Sequence, residues 1–231
     1  MRYIDGLFIL MIEAAMSEKI KLDIISDVVC PWCIVGYKSL QIAIEQLGVA
    51  DRIEVQWQPF ELNPNMPPEG QDLREHVAEK YGSSLEESHA SRLNIAARGK
   101  EVGFTFNFFD EMKIVNTRDA HILLDYAYEF GQQTALKLRL FTAAFTDQQD
   151  VSQRAVLLQV ISDLGLDPEE AVRRLESPSH RQAVIDQESE WQRLGVSSVP
   201  TIVFNRTSAM SGAHSVEAYQ SVLTELLSLD N

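Results

Sequence analysis

The sequence predicts an α/β fold in which a large inserted α-helical domain interrupts a small sheet. Three observations predict this class. Two strand patterns joined by a helix occur early in the chain, only helical patterns follow over residues 63–179, and strand patterns return near the end. With 231 residues, 45% of them hydrophobic, the chain is long enough to bury a sizeable core.

The first half of the predicted sheet is a strand, helix, strand unit. Residues 19–26 alternate apolar and polar side chains, and a helix with apolar residues at helical spacing follows and ends at Gly48. Residues 53–58 then alternate strictly, as a second strand does. Because a helix connects them, we expect the two strands to be parallel.

Changes of pattern divide the chain into four predicted segments. These are an N-terminal extension, the first half of the sheet domain, an inserted helical domain that begins in a proline-rich stretch, and the second half of the sheet domain. The second half contains the late strand signals and a final amphipathic helix. The predicted boundaries are residues 1–18, 19–62, 63–179 and 180–231.

The N-terminal extension carries a short apolar run at residues 6–12. Asp5 and Glu13 flank this run, which is near the lower length limit for a signal peptide and too short to cross a bilayer. We therefore expect a cytoplasmic protein whose natural fold starts near Met16. The alternative is a periplasmic protein in which residues 1–15 act as a signal peptide.

The motif Cys30-Pro31-Trp32-Cys33 contains both cysteines of the chain and stands where the first strand is expected to run into a helix. Two residues between the thiols allow a disulfide within one helical turn. Free backbone N–H groups and the helix dipole stabilise a thiolate at the first position. We therefore predict Cys30 as the nucleophile and Cys33 as the resolving thiol, with Pro31 in the first helical turn.

A second motif, Val199-Pro200, directly precedes the late strand at residues 201–204. A cis proline there would bend the chain into the sheet and let the Val199 backbone pair with an extended substrate across Cys30. An ordinary proline at a strand entry is the alternative interpretation of these two residues alone. Together with the cysteine pair, the arrangement is that of a thioredoxin fold with a large inserted α-helical domain.

Composition excludes several classes of function. A net charge of −14 repels nucleic acid and anionic lipid, and no basic stripe offsets it. Without further cysteines there is no intramolecular structural disulfide, which favours a reducing compartment. Zinc prefers four ligands, and the five histidines are scattered, so we predict no metal site.

Four segments together resemble the DsbA-like thioredoxin-fold proteins of the FrnE type, over roughly residues 19–227. These are residues 26–33, residues 57–64, residues 116–121, and Val199-Pro200-Thr201 with residues 211–213. The resemblance implies a thiol-disulfide oxidoreductase, commonly cytoplasmic. The related 2-hydroxychromene-2-carboxylate isomerases and kappa-class glutathione transferases place serine at the position of Cys30. Ala213 and His214 also depart from the polar and acidic residues that those relatives carry.

Several residues near the motif allow two interpretations each. Trp32 either contacts substrate or covers the disulfide. Asp23 and Asp27 either accept a proton from Cys33 or are solvated or capping acids. His121 is more typical of a core histidine than of a catalyst. The aromatic stretch at residues 104–109 either packs between the domains or forms an apolar wall of the substrate groove.

The leading hypothesis is an enzyme that exchanges disulfides with protein or small-thiol substrates through Cys30 and Cys33. Its only cofactor is the redox-active disulfide itself, with glutathione open as a co-substrate. A glutathione-dependent isomerase or transferase of the chromene-carboxylate isomerase type is the second hypothesis. A redox-linked chaperone or binding module is the third.

Overall fold

Six strands, nine α-helices and a 3₁₀ helix at Ala50–Arg52 lie within residues 19–229, which a computed structural model of the chain describes. The strands are β1 (Ile20–Ser26), β2 (Ile53–Pro59), β3 (Gln71–Asp72), β4 (Lys113–Ile114), β5 (Thr201–Phe204) and β6 (Ser208–Ser211). The helices are α1 (Pro31–Leu47), α2 (Leu73–Tyr81), α3 (Leu85–Glu101), α4 (Arg118–Tyr128), α5 (Gln133–Phe145), α6 (Arg154–Asp163), α7 (Pro168–Glu176), α8 (Pro178–Arg193) and α9 (Val216–Leu229).

A mixed four-stranded sheet with the order β2-β1-β5-β6 lies at the centre of the fold. β1 and β2 run parallel, with Ile24 opposite Trp57, as the strand-helix-strand pattern predicts. β5 returns antiparallel to β1, so that Thr201 lies opposite Ile25 near the end that leads to the cysteines. The connectivity therefore brings the start of β5 beside the cysteine loop.

Burial on both faces explains why β1 is an interior strand of the sheet. Leu22 and Ile24 are buried in the main core, which α1 also joins, and Ile25 is buried with Trp191 of α8 in a second cluster behind the sheet. Burial on both faces matches the nearly continuous apolar pattern of this strand. α1 ends at Gly48, whose left-handed φ of 67° is a conformation that glycine adopts without steric cost.

Helices α2 to α8 lie between β2 and β5 in the chain, in the region where helical patterns dominate. The expectation of helical structure alone there was wrong, because β3 and β4 form a two-stranded antiparallel ribbon. Gln71 pairs with Ile114 and Asp72 with Lys113. Strands of two residues show no periodicity, so their pairing depends on contacts distant in sequence.

The aromatic stretch at residues 104–109 packs within the helical region. The ring of Phe106 lies 4.8 Å from that of Phe104, 5.4 Å from that of Phe108 and 5.2 Å from that of Phe145. Gly99 of α3 permits this approach, because a Cβ at that position would lie 2.5 Å from the Phe106 ring. The cluster anchors α3 to α5 and so positions one wall of the groove described below.

The four segment boundaries stay a prediction, and the expectations for residues 1–18 fall outside the described residues. Over residues 19–229, no helix is both long enough and apolar enough to cross a membrane.

Candidate functional site

The two cysteines lie at the beginning of α1, after β1 and a short turn. Cys30 is the N-cap residue with an extended backbone, Pro31 is the first helical residue, and the N–H of Cys33 donates to the carbonyl of Cys30 at 3.1 Å. Both thiols are free; Cys30 is 4% exposed and Cys33 is fully buried. The first turn contains no acidic residue, so no carboxylate there opposes the dipole of α1.

Val199 and Pro200 face this pair from the start of β5. The peptide bond between them is cis, and the Sγ of Cys30 lies 3.8 Å from the carbonyl oxygen of Val199. The carbonyl of Pro200 accepts a hydrogen bond of 2.7 Å from the N–H of Gly212. The cysteine motif and the proline motif, far apart in sequence, are therefore in contact at one edge of the sheet.

Lys137 of α5 lies beneath the cysteines and is fully buried. Its ammonium lies 3.4 Å from the carbonyl oxygen of Ser26 and 5.3 Å from the ring centres of both Trp57 and Phe141. Burial lowers the pKa of Lys137 to about 8, although the nearby Cys33, Asp27 and Cys30 act in the opposite direction. A buried cation thus faces the cysteine pair, and the sequence pattern alone does not reveal it.

Burial raises the pKa of the Cys33 thiol well above its usual range, because the apolar surroundings disfavour the thiolate. The neighbouring Cys30 sulfur adds to this rise, whereas the positive charge of Lys137 lowers the pKa. Cys33 is consequently a thiol whose ionisation depends on the charges below it.

Asp27 is the acid associated with this buried cation. Its carboxylate accepts hydrogen bonds from the N–H of Leu62 at 2.8 Å and of Val29 at 3.4 Å, and lies 3.7 Å from His121. Burial alone would raise the pKa of Asp27, but the imidazole of His121, the Leu62 N–H and the charge of Lys137 together lower it. Asp27 is therefore an ionised acid inside the site, and it fixes the loop between β1 and α1.

Asp23, the other candidate acid, has different partners. It is fully buried on β1, where it accepts a hydrogen bond of 2.7 Å from Gln58 and lies 3.4 Å from the guanidinium of Arg206. His121 is also buried, which lowers the pKa of its imidazole and leaves it neutral at pH 7. Asp27 and Lys137 are thus the charged pair that bears on the cysteines.

A second buried polar cluster lies behind Asp27 and includes two acids. Glu61 accepts from Arg118 at 2.7 Å and from Asn116 at 3.0 Å, and its own N–H donates to Glu188 at 2.8 Å. Burial raises the pKa of Glu188 to about 7, and the charge of Glu61 adds to the rise. Glu61, Asn116 and Arg118 belong to the motifs that resemble known proteins, but their spacing in sequence does not reveal the cluster.

The raised pKa of Glu188 leads to a prediction about stability. Between pH 4.5 and 7 the folded chain holds a proton on Glu188 that the unfolded chain releases. The contribution of Glu188 to the free energy of unfolding therefore falls as pH rises through that interval. We expect Glu188→Gln to be more stable than the wild type at pH 8, by up to about 3 kcal/mol, with the gain shrinking towards pH 5.

Urea denaturation at several pH values measures this difference. The control is Glu190→Gln, on the exposed side of the same helix, which we expect to show a small difference that does not change with pH. A Glu188→Gln gain that is the same at pH 5 and pH 8 would contradict the assigned ionisation.

A cavity of about 420 Å³ opens beside Cys30. Val199 and the Cys30–Trp32 segment line one side, while α2, α3 and the ring of Phe108 line the other. Trp32 also borders a second cavity of about 590 Å³ between α3 and the start of α9. Trp32 therefore stands between two spaces large enough for ligands.

Within residues 19–229, no three histidine, cysteine, aspartate or glutamate side chains form a group that could hold a metal ion. The arrangement offers a dithiol, a buried charge pair and an adjacent groove, which are suited to reversible exchange of disulfides.

Comparison with known proteins places this arrangement in a family. A family model described as a DSBA-like thioredoxin domain matches residues 21–224. A crystal structure of a probable DsbA oxidoreductase from Streptomyces coelicolor is 31% identical, with a TM-score of 0.84 and 89% of each chain covered.

Two more distant structures share the fold. A 2-hydroxychromene-2-carboxylate isomerase is 15% identical with a TM-score of 0.67, over 90% of this chain and 96% of the other. The cytosolic disulfide reductase DsbM from Pseudomonas aeruginosa, solved with GSH, is 17% identical with a TM-score of 0.62, over 90% and 98%. Together with the family match, they confirm the predicted thioredoxin fold with its helical insertion, and the chain belongs to the family of DSBA-like thioredoxin-domain proteins.

Proposed function

We propose that this chain is a thiol-disulfide oxidoreductase that exchanges disulfides with protein or small-thiol substrates. One observation carries the proposal. The chain's two thiols lie in the first turn of α1, with the Sγ of Cys30 3.8 Å from the Val199 carbonyl, at the edge of a 420 Å³ cavity. Membership of the DSBA-like family and the likeness to a probable DsbA oxidoreductase support an oxidoreductase activity.

Reduction of a substrate proceeds in two exchanges. The Cys30 thiolate attacks one sulfur of the substrate disulfide, forms a mixed disulfide, and releases the other sulfur as a thiolate. Cys33 then loses its proton and attacks the Cys30 sulfur. This step forms the Cys30–Cys33 disulfide and releases the second substrate thiolate, and an external dithiol or two thiols must reduce the pair again. Oxidation of a substrate dithiol is the same sequence in reverse.

Val199 and Trp32 are the residues that we assign to substrate contact. The Val199 carbonyl faces the Cys30 sulfur, so an extended substrate chain that pairs with this backbone would lay its disulfide across Cys30. Trp32 borders the groove and supplies apolar contact area next to the reacting sulfur. Pro31 and Asp27 support the site by shaping the first helical turn and by fixing the preceding loop.

We further propose that the protein acts in the cytoplasm. The cysteine count excludes an intramolecular structural disulfide, which suits a reducing compartment, and DsbM is described as cytosolic. The net charge of −14 disfavours nucleic acid and anionic membranes as partners. Protein disulfides, dithiols and glutathione are the expected partners.

Turnover of insulin disulfides with a dithiol reductant tests the activity, and titration of the cysteine pair against glutathione buffers gives its direction. Tryptophan between the thiols offers no cation to stabilise the Cys30 thiolate, unlike the histidine of a Cys-Pro-His-Cys motif. We therefore expect a potential more negative than about −120 mV, the value for DsbA. No insulin turnover, or a potential as oxidising as that of DsbA, would contradict the respective part of the proposal.

A further inference from the structure

The cavity beside Cys30 is mainly apolar, but four charged or titratable side chains also line it. Its fixed cations are Lys80 and Arg92, its one carboxylate is Glu87, and His76 also lines it. The chain as a whole carries a net charge of −14. A groove with more cations than carboxylates in so acidic a protein favours an anionic ligand.

Three of these four groups are already engaged. The ammonium of Lys80 donates to the carbonyl of Leu62 at 3.1 Å and to the side chain of Asn63 at 2.8 Å. The ring of His76 lies 2.7 Å from the side-chain oxygen of Gln71. The Glu87 carboxylate accepts from the backbone N–H of Ser84 at 2.8 Å in a capping box of α3.

Arg92 differs from them. It is half-buried on α3, its Nε is shielded from solvent, and the guanidinium makes no hydrogen bond or ion pair with any other residue in 19–229. Ser88 lies one helical turn earlier and also lines the cavity. Because a buried donor without a partner is destabilising, the shielded Nε of Arg92 is a donor for which residues 19–229 supply no acceptor, and an anionic ligand in the cavity would satisfy it.

The size of the cavity limits how far the anionic group of a ligand can lie from a sulfur placed at Cys30. A volume of about 420 Å³ is roughly 7 Å across if it is equidimensional, which is about two residues of extended chain. A carboxylate is the anion that peptides carry, and its two oxygens match the planar fork of a guanidinium. A ligand with its sulfur at Cys30 would then place a carboxylate one to three residues away near Arg92.

We propose that Arg92 binds a carboxylate of the substrate and makes the site selective for disulfides whose cysteine has an acidic group one to three residues away. This inference rests on the proposed function and assigns its substrate class. The carboxylate can belong to an acidic segment of a polypeptide or to a glutathionyl group, whose glycine carboxylate lies one residue from the sulfur. Arg92 is thus a specificity-determining residue.

Binding of redox-inert peptides tests the selectivity without any exchange of disulfides. The probes are two pentapeptides with an S-methylated cysteine, identical except for Glu or Gln two residues later, and S-methylglutathione. By calorimetry we expect the wild type to bind the Glu peptide about fivefold more tightly, the upper range for an ion pair that is partly exposed to solvent. In Arg92→Gln the ratio should fall to about one, and in Arg92→Lys it should be intermediate.

The matched control is Lys100→Gln, which removes the same charge from an exposed position of α3 outside this cavity. Lys100→Gln should keep the wild-type ratio. A loss of S-methylglutathione binding in Arg92→Gln identifies the glutathionyl group as one source of the carboxylate. A loss confined to the Glu pentapeptide identifies a polypeptide.

Rates of exchange with the corresponding Glu and Gln peptide disulfides separate this inference from the proposed function. If the wild type reduces both disulfides at equal rates and binds both S-methyl peptides equally, the carboxylate site is wrong and the oxidoreductase stands. If the binding ratio depends on Arg92 but neither disulfide is reduced, the carboxylate site stands and the oxidoreductase is wrong. If Arg92→Gln still binds the Glu peptide about fivefold more tightly than the Gln peptide, the inference is overturned.

Discussion

Cys30→Ser is expected to reduce the turnover of insulin disulfides by at least about 100-fold. A serine hydroxyl stays un-ionised at neutral pH and is a weak nucleophile unless an adjacent base activates it. The carbonyl oxygen of Val199, 3.8 Å from the Cys30 sulfur, cannot take up a proton as a general base does. Insulin reduction by a dithiol, followed by turbidity, gives the rate.

Cys33→Ser should have a different outcome, because it leaves the first exchange intact. Cys30 can still attack a substrate disulfide, but nothing within the chain can then release the adduct. We expect a mixed disulfide between Cys30 and the substrate to accumulate to about one per chain, visible by intact-mass analysis. In the wild type, Cys33 should clear the same adduct.

Controls separate chemistry from folding. Cys30→Ala should lose as much activity as Cys30→Ser, and both should keep the circular dichroism of the wild type, since Cys30 is at the cavity edge. Undiminished turnover in Cys30→Ser, or an adduct on Cys33 in place of Cys30, would contradict the assigned roles.

Two other outcomes would favour a different function. Suppression of aggregation that survives the loss of both thiols would favour a chaperone. Retained turnover in Cys33→Ser together with glutathione binding would favour an isomerase or transferase.

Sequence patterns were sufficient to predict the main sheet and the contact between the cysteine motif and the Val199-Pro200 motif. The apolar patterns of β1 and β2 reflect burial of the faces of the sheet, and the chain order then determines which strand ends meet. The position of the cysteine motif at the start of a helix could be predicted because free backbone N–H groups and the helix dipole stabilise an anion there. Val199-Pro200 could be placed because a proline before a strand has few structural roles.

The buried charges could not be predicted in the same way. Lys137 follows Leu136 in a helix whose apolar residues recur at Leu140 and Phe141, and a lysine in such a pattern normally extends to solvent. Its position three residues before Leu140 and four before Phe141 puts it on their face, which was the available signal. Glu61 and Glu188 are 127 residues apart, so only the folded chain brings them together.

Lys137→Met should slow the resolution of the mixed disulfide about tenfold at pH 7. Once Cys30 is bound to substrate, its sulfur carries no charge, and three influences on Cys33 remain. Burial raises the pKa of the Cys33 thiol, whereas the Lys137 ammonium and a backbone hydrogen bond with Asp27 lower it. Removal of the ammonium should therefore raise this pKa further, and each unit reduces the thiolate fraction tenfold at neutral pH.

The measurement is decay of a preformed Cys30 mixed disulfide, sampled by acid quench and mass spectrometry between pH 6 and 10. The ratio of the wild-type decay rate to that of Lys137→Met should be largest below pH 8 and shrink above it, because burial lowers the pKa of Lys137 to about 8 and the wild type then loses the same charge. A role of Lys137 in packing alone would change the rate by the same factor at every pH. Arg139→Met is the matched control, because it removes a charge from the same helix where Arg139 pairs with Asp147 near the surface.

A rate ratio for Lys137→Met that does not change with pH, or an equal ratio for Arg139→Met, would contradict the assignment of Lys137 as the residue that sets Cys33 ionisation. Methionine is about as long as lysine and apolar, so it can fill the space between Trp57 and Phe141 without a charge. Asp27 would then lose its nearby cation while the Leu62 N–H still holds it in place. The remaining negative charge beneath Cys33 further disfavours its thiolate, which acts in the same direction as the loss of Lys137.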